Sequence, residues 1–363
     1  MEHISVEELR KYISKESHEE TTLDLSGRQL SKVPEAVTDV EDLESLKLDR
    51  NNLTELPTSI NKLKNLTWLL LDENQLTYLP DSIGDLKGLR RLCVRNNQLS
   101  VVPTCVQQLK KLEWLVLQGN HLTDLPEWIG DLKELRLLIV GDNQLSAVPT
   151  CVQQLKKLEQ LDLDGNHLTD LPEWIGDLKE LHVLWVGNNQ LSAVPTCVQH
   201  LKKLFWVFLD GNHLTDLPEW IGDLKQLDVL WVSNNQLSAV PTSVQQLKKL
   251  GLINLDGNHL TDLPEWIGDL KELRGLWVNN NQLSAVPTSV QQLKKLIWLY
   301  LEGNQLTELP EWIGDLKELR ELHVSDNRFT VDGMRSLLEL KGKKKGKVNI
   351  YFSGGYNSKL TFD

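Results

Sequence analysis

Residues 204–214 read Leu204-Phe205-Trp206-Val207-Phe208-Leu209-Asp210-Gly211-Asn212-His213-Leu214, and residues 227–237 read Leu227-Asp228-Val229-Leu230-Trp231-Val232-Ser233-Asn234-Asn235-Gln236-Leu237. Both follow one frame: an aliphatic residue at positions 1, 4, 6 and 11, and Asn at position 9. The frame continues through Leu/Val-Pro and Ile/Val to a further Leu and restarts after 23 residues. Traced outward in both directions it fits fourteen units, opening at Glu20, Leu43, Leu66 and so on to Leu319. A repeat of this length is a supersecondary unit that cannot bury its own apolar face and must stack on its neighbours.

The alternation at positions 4 and 6 predicts one short strand per unit with its aliphatic side inward. The Pro and the later Leu/Ile pair build the opposite wall. The asparagine column, from Asn51 to Asn327, places an amide where each chain turns inside the stack and is read as a structural ladder satisfying backbone groups.

These motifs resemble the leucine-rich repeat family, in its 23-residue typical class with the Leu-Pro-x-x-Ile signature of intracellular Ras-associated and Scribble-type repeat proteins. The resemblance covers nearly nine tenths of the chain. It implies an α/β solenoid: a right-handed curved horseshoe with a parallel β-sheet on its concave face, binding proteins without catalysis. Residues 1–19 are expected to form a helical N-terminal cap, 20–341 the fourteen repeats, and 342–363 a C-terminal cap strand and tail. In the N-terminal cap, Ser5-x-x-Glu8 is a capping-box pattern ahead of Leu9, Tyr12 and Ile13. At the other end a helix is expected over Asp332 to Leu340, a basic turn over Lys341 to Lys347, and a strand over Val348 to Phe352.

Composition narrows the function. With 39 Lys+Arg against 51 Asp+Glu, the net charge of −12 argues against a nucleic-acid partner, which would need a dense basic face. No secretory signal, 18-residue apolar run or lipidation motif is present, so the expected address is the cytosol, or the exterior if a leader is missing. Caps without cysteine support the intracellular reading, because secreted relatives commonly staple their caps with disulfides. Cys105, Cys151 and Cys197 recur two repeats apart, about 10 Å at ordinary strand spacing, and should be buried thiols.

Several motifs fail. His121, His167, His213 and His259 form a column whose copies are too far apart to share a metal. No phosphate loop, zincin, nucleophile-elbow or Cys-x-x-Cys motif occurs. The acidic pairs repeat with the scaffold, whereas a catalytic pair should be unique. Cys93 faces the sheet surface without an obvious base. We therefore expect no catalytic residue, no cofactor and no metal.

The repeats also alternate in a 46-residue block, from about 97 to 319, in which long segments barely change while positions 2, 3, 5 and 7 vary. Those positions flank the buried aliphatics and point out of the sheet. The 12 tryptophans split accordingly. Trp128, Trp174, Trp220, Trp266 and Trp312 repeat in Pro-Glu-Trp-Ile-Gly and are read as wall packing. Trp68, Trp114, Trp185, Trp206, Trp231, Trp277 and Trp298 stand in the variable columns.

Trp185, Trp206, Phe208, Trp231, Trp277, Trp298 and Tyr300 are therefore the expected anchors of a macromolecular partner, with Trp68 and Trp114 as outliers and Asp162, Asp210, Asp228 and Asn254 as polar selectors. An aromatic patch in an acidic field favours a protein partner with Lys or Arg on its surface. A glycan is a second expectation, because indoles beside Asp and Asn suit sugar rings; a homodimer burying this face is a third. The constant frame with a diversified face also resembles the variable lymphocyte receptors of jawless vertebrates, which implies an alternative role in innate recognition of microbial surface ligands. Ring-on-ring packing that merely covers the sheet is the competing structural account.

Overall fold

The computed structural model describes residues 5–15, 21–343 and 348–352. The basic turn expected over Lys341 to Lys347 lies largely outside them. Two compact units are distinguished, Met1–Leu184 and Trp185–Asp363.

In the first unit, α1 (Val6–Leu9) begins with the expected box: Glu8 N–H donates to Ser5 Oγ at 3.2 Å, and Ser5 N–H donates to Glu8 Oε2 at 3.0 Å. The helix is only one turn long. Ile13, expected in that helix, instead opens β1 (Ile13–Lys15), which pairs antiparallel with β2 (Thr21–Asp24) and covers an edge that would otherwise expose unpaired backbone. The other strands are β3 (Ser45–Lys47), β4 (Trp68–Leu70), β5 (Arg91–Cys93), β6 (Trp114–Val116), β7 (Leu137–Ile139) and β8 (Gln160–Asp162), and β2 to β8 run parallel. β9 is Val183–Trp185.

The second unit continues the pattern with β10 (Trp206–Phe208), β11 (Val229–Trp231), β12 (Leu252–Asn254), β13 (Gly275–Trp277), β14 (Trp298–Tyr300), β15 (Glu321–His323) and β16 (Asn349–Tyr351). From β10 to β16 each strand pairs in parallel with the next. α2 (Val331–Lys343) precedes β16, a longer helix than the Asp332–Leu340 expected. The opposite wall consists of five-residue 3-10 turns opened by the repeat proline, such as Glu219–Asp223 after Pro218. That proline pre-sets its backbone and needs no amide there.

Leucines at positions 1, 4, 6 and 11 fill the interior; Leu227, Leu230 and Leu237 are fully buried. Each such side chain contributes about 1.5–3 kcal/mol by leaving water. The asparagine column is buried from Asn51 to Asn304 and its amides are used. Asn212 Nδ2 donates to Val186 O and Leu209 O, both at 3.0 Å, while its Oδ1 accepts Leu191 N–H at 2.9 Å. A buried polar group survives here because every polar atom finds a partner.

The 46-residue period has a steric counterpart at position 8, although Arg50, Glu73 and Asn96 fill that position in three successive earlier repeats. Position 8 lies in the left-handed region in both copy types, at φ 47° for Asn188 and 62° for Gly211. A Cβ on Gly211 would overlap the Asn188 side chain of the preceding repeat, as one on Gly303 would overlap Asn280. From Asn96 onward large and small residues alternate at this position. The opposite wall alternates too: a Cβ on Gly130 would lie 2.5 Å from the Cys151 carbonyl oxygen in the next turn.

Candidate binding face

Side chains at positions 3 and 5 project from the open side of the sheet, and parallel in-register pairing aligns them from strand to strand. In the second unit Phe208, Trp231, Asn254, Trp277, Tyr300, His323 and Tyr351 follow one another in register. Trp185 stacks on Phe208 with centroids 5.7 Å apart, and Phe208 meets Trp231 edge-on at 5.3 Å. The Trp231 Nε1 is buried without an acceptor. Asn254 then interrupts the row, its Oδ1 accepting Asp256 N–H at 2.9 Å.

A second aromatic group begins at Trp277. Its indole folds back over Gly275, where a Cβ would overlap the ring, and stacks on Trp298 at 6.2 Å. Trp277 also meets Tyr300 edge-on at 5.8 Å; Tyr300 packs against His323 at 4.0 Å, and His323 against Tyr351 at 4.2 Å. The Tyr300 hydroxyl donates to Glu321 Oε2 at 2.6 Å, and burial together with that carboxylate pushes its pKa up to about 12. The rings do cover one another, as the structural account requires. Phe205 and Trp206 depart from it: they pack together at 5.8 Å yet remain 42% and 38% exposed.

Carboxylates line position 7 of the same face. Asp256 is pushed up to about 6 by burial, although it accepts both the N–H and the side-chain amide of Asn279, at 2.6 and 3.0 Å. Burial also raises Asp210. Asp228 is held by Arg274, 3.0 Å away.

Of the remaining expected residues, Trp68, Trp114 and Asp162 belong to the first unit. Trp68 and Trp114 sandwich Arg91, 3.9 and 3.7 Å from its Cζ. Burial pushes Asp162 up to about 6, and its Oδ1 accepts Asp164 N–H at 2.9 Å. Reading the sequence missed Phe205, the one aromatic at position 2, and Tyr351, which joins the row only because β16 pairs with β15 after a cap that breaks the 23-residue spacing. Arg91 stood in the variable column, but a cation among indoles was not counted as part of the face.

The wall tryptophans are half-buried. Cys105, Cys151 and Cys197 are buried thiols; burial pushes Cys93 up to about 12, well outside the range of a reactive thiolate. The histidine column is exposed, and among the described residues no three His, Cys, Asp or Glu side chains could hold a metal ion. Among the same residues no helix is long and apolar enough to cross a membrane.

A family model described as a leucine-rich repeat region matches residues 21–115, 104–205 and 252–345. Among solved structures, a leucine-rich repeat protein of Leptospira interrogans is similar with a TM-score of 0.74 and 34% identity, over 91% of this chain and 95% of that one. The leucine-rich repeat ectodomain of the Arabidopsis thaliana membrane receptor kinase GASSHO1/SCHENGEN3, in complex with CASPARIAN STRIP INTEGRITY FACTOR 2, gives 0.66 and 31%, over 88% of this chain and 42% of that one. The leucine-rich effector YopM of Yersinia pestis gives 0.64 and 30%, over 85% and 84%. No curated protein matches the sequence. With the buried asparagine column and parallel ladders built on the same repeat that the family model detects, the chain belongs to the leucine-rich repeat family.

Proposed function

We propose that the open sheet face of the second unit binds a protein partner whose surface carries Lys or Arg side chains, without catalysing a reaction on it. The observation that carries this reading is the Phe205–Trp206 pair. Stacking accounts for the half-buried rings of the row, but it leaves these two exposed, and Phe205 stands at a position where all other repeats except that of Ile297 have a polar residue or glycine. Large aromatics in such a setting anchor interfaces by filling a partner's pocket.

Asp210 and Asp256 beside the row, within a chain of net charge −12, favour a basic partner through steering and through cation–π contact with the indoles. A stacked sheet that is already ordered lowers the entropic cost of association. The Arabidopsis ectodomain, similar in fold, was solved with a bound factor. Buried thiols support a reducing, cytosolic setting.

The test is affinity capture by the native chain and by a Phe205→Ser, Trp206→Ser variant, with circular dichroism confirming that both fold. A partner held by the native chain and lost by the variant is the expected result. Equal capture by both would move recognition off this face.

A further inference from the structure

In the first unit Arg91 of β5 stands in register between Trp68 of β4 and Trp114 of β6. Its Cζ lies 3.9 Å from one indole centroid and 3.7 Å from the other. Both flat faces of the guanidinium are covered, so another molecule can reach it only through the N–H rim. A guanidinium carries five donors in a fixed plane. Among the described residues none of the Arg91 side-chain donors has an acceptor, and the side chain joins no ion pair. Nearby carboxylates are committed elsewhere: Glu113 to Arg90, and Asp72 to the Arg95 N–H at 2.7 Å.

Stacking explains why two indoles flank a planar group, but an unpaired half-buried cation is a costly choice for that purpose alone. We propose that Arg91, clamped by Trp68 and Trp114, is a binding site for the carboxylate of an acidic side chain on a protein partner. The planar rim matches a planar anion through two parallel N–H···O bonds. A monoanion fits better than a phosphate, which brings about −1.5 to −2 charges to a spot where Asp49 and Asp72 already act on the adjacent Cys93. The indoles give the methylene stem of a glutamate apolar walls. This site lies on the first unit and carries the opposite charge preference, so it stands or falls separately from the face of the second unit.

The test follows the indole Nε1–H and arginine Nε–H resonances of the full chain, assigned with Trp68→Phe, Trp114→Phe and Arg91→Lys variants. The probes are the acetylated, amidated tripeptides Gly-Glu-Gly and Gly-Gln-Gly, and inorganic phosphate. The expected result is a saturable shift of the Arg91, Trp68 and Trp114 signals with the Glu peptide, at least about tenfold weaker binding of the Gln peptide, and a smaller response to phosphate. Arg91→Lys keeps the charge but not the fork, so it should bind the Glu peptide more weakly than the native chain while keeping the native circular dichroism. Equal responses to the two peptides, no response at these signals, a phosphate response matching that of the Glu peptide, or undiminished binding of the Glu peptide by Arg91→Lys would each overturn the proposal.

Discussion

The Arg274 guanidinium spans a whole repeat to reach Asp228, its Nη2 lying 3.0 and 3.2 Å from the two carboxylate oxygens. The pair closes over Gly251 of the intervening repeat, where a Cβ would overlap Asp228 and lie 2.5 Å from Arg274 Nη2. Asp228 reads as a polar selector in the sequence, yet it stands already bridged at the edge of the aromatic face. Two variable positions are thus coupled through a third that is empty.

Gly251→Ala should break this bridge. The pair is partly exposed, so the loss should be no more than about 1 kcal/mol. Urea unfolding of the single variants and of the Gly251→Ala, Arg274→Ala double variant checks it: once Arg274 is gone, the added methyl should cost almost nothing further.

Asn212→Ala should be far more damaging. It leaves the Leu191 N–H without its acceptor inside the stack and takes one of two asparagine donors from each of the Val186 and Leu209 carbonyls, which keep those of Asn189 and Asn235. At about 1–3 kcal/mol for an orphaned buried group, the loss should be roughly 2 kcal/mol, read as a lower urea midpoint.

Gly211→Ala tests the origin of the 46-residue period. A left-handed non-glycine costs about 1–2 kcal/mol, and the overlap with Asn188 adds to it. In an Asn188→Gly background only the backbone part should remain, so the same substitution should be measurably milder there.

How much of this was legible in the sequence differs by level. The leucine, asparagine and proline spacing specifies the stack because each of those residues has one place in every repeat. Columns 3 and 5 identify which side chains share the open face, since in-register pairing preserves position number. Ring orientation is not encoded in spacing: Trp277 leaves its own column to lie over Gly275 because that glycine vacates the room. The edge strand Ile13–Lys15 was hidden because Ile13 continues the helical spacing of Leu9 and Tyr12, and only the uncovered edge of β2 makes pairing preferable there.

Asp256 gives a pH signature. Burial raises its pKa to about 6 from the ordinary 3.8, so between these values the folded chain binds more protons than the unfolded one. Stability from this group is present below about pH 4 and declines as pH rises through 6. Asp256→Asn should therefore shrink the fall in urea midpoint between pH 5 and pH 7. An unchanged difference would mean that the carboxylate is not desolvated as the geometry requires.

The central claim is recognition of a basic protein surface by the open face around Phe205 and Trp206. Its most direct measurement is selection of a random peptide library, displayed on phage, against the native chain and against the folded Phe205→Ser, Trp206→Ser variant. The account predicts sequences enriched in Lys and Arg, retained less at higher salt and lost on the variant. Enrichment without basic residues, or equal retention on both chains, would contradict it.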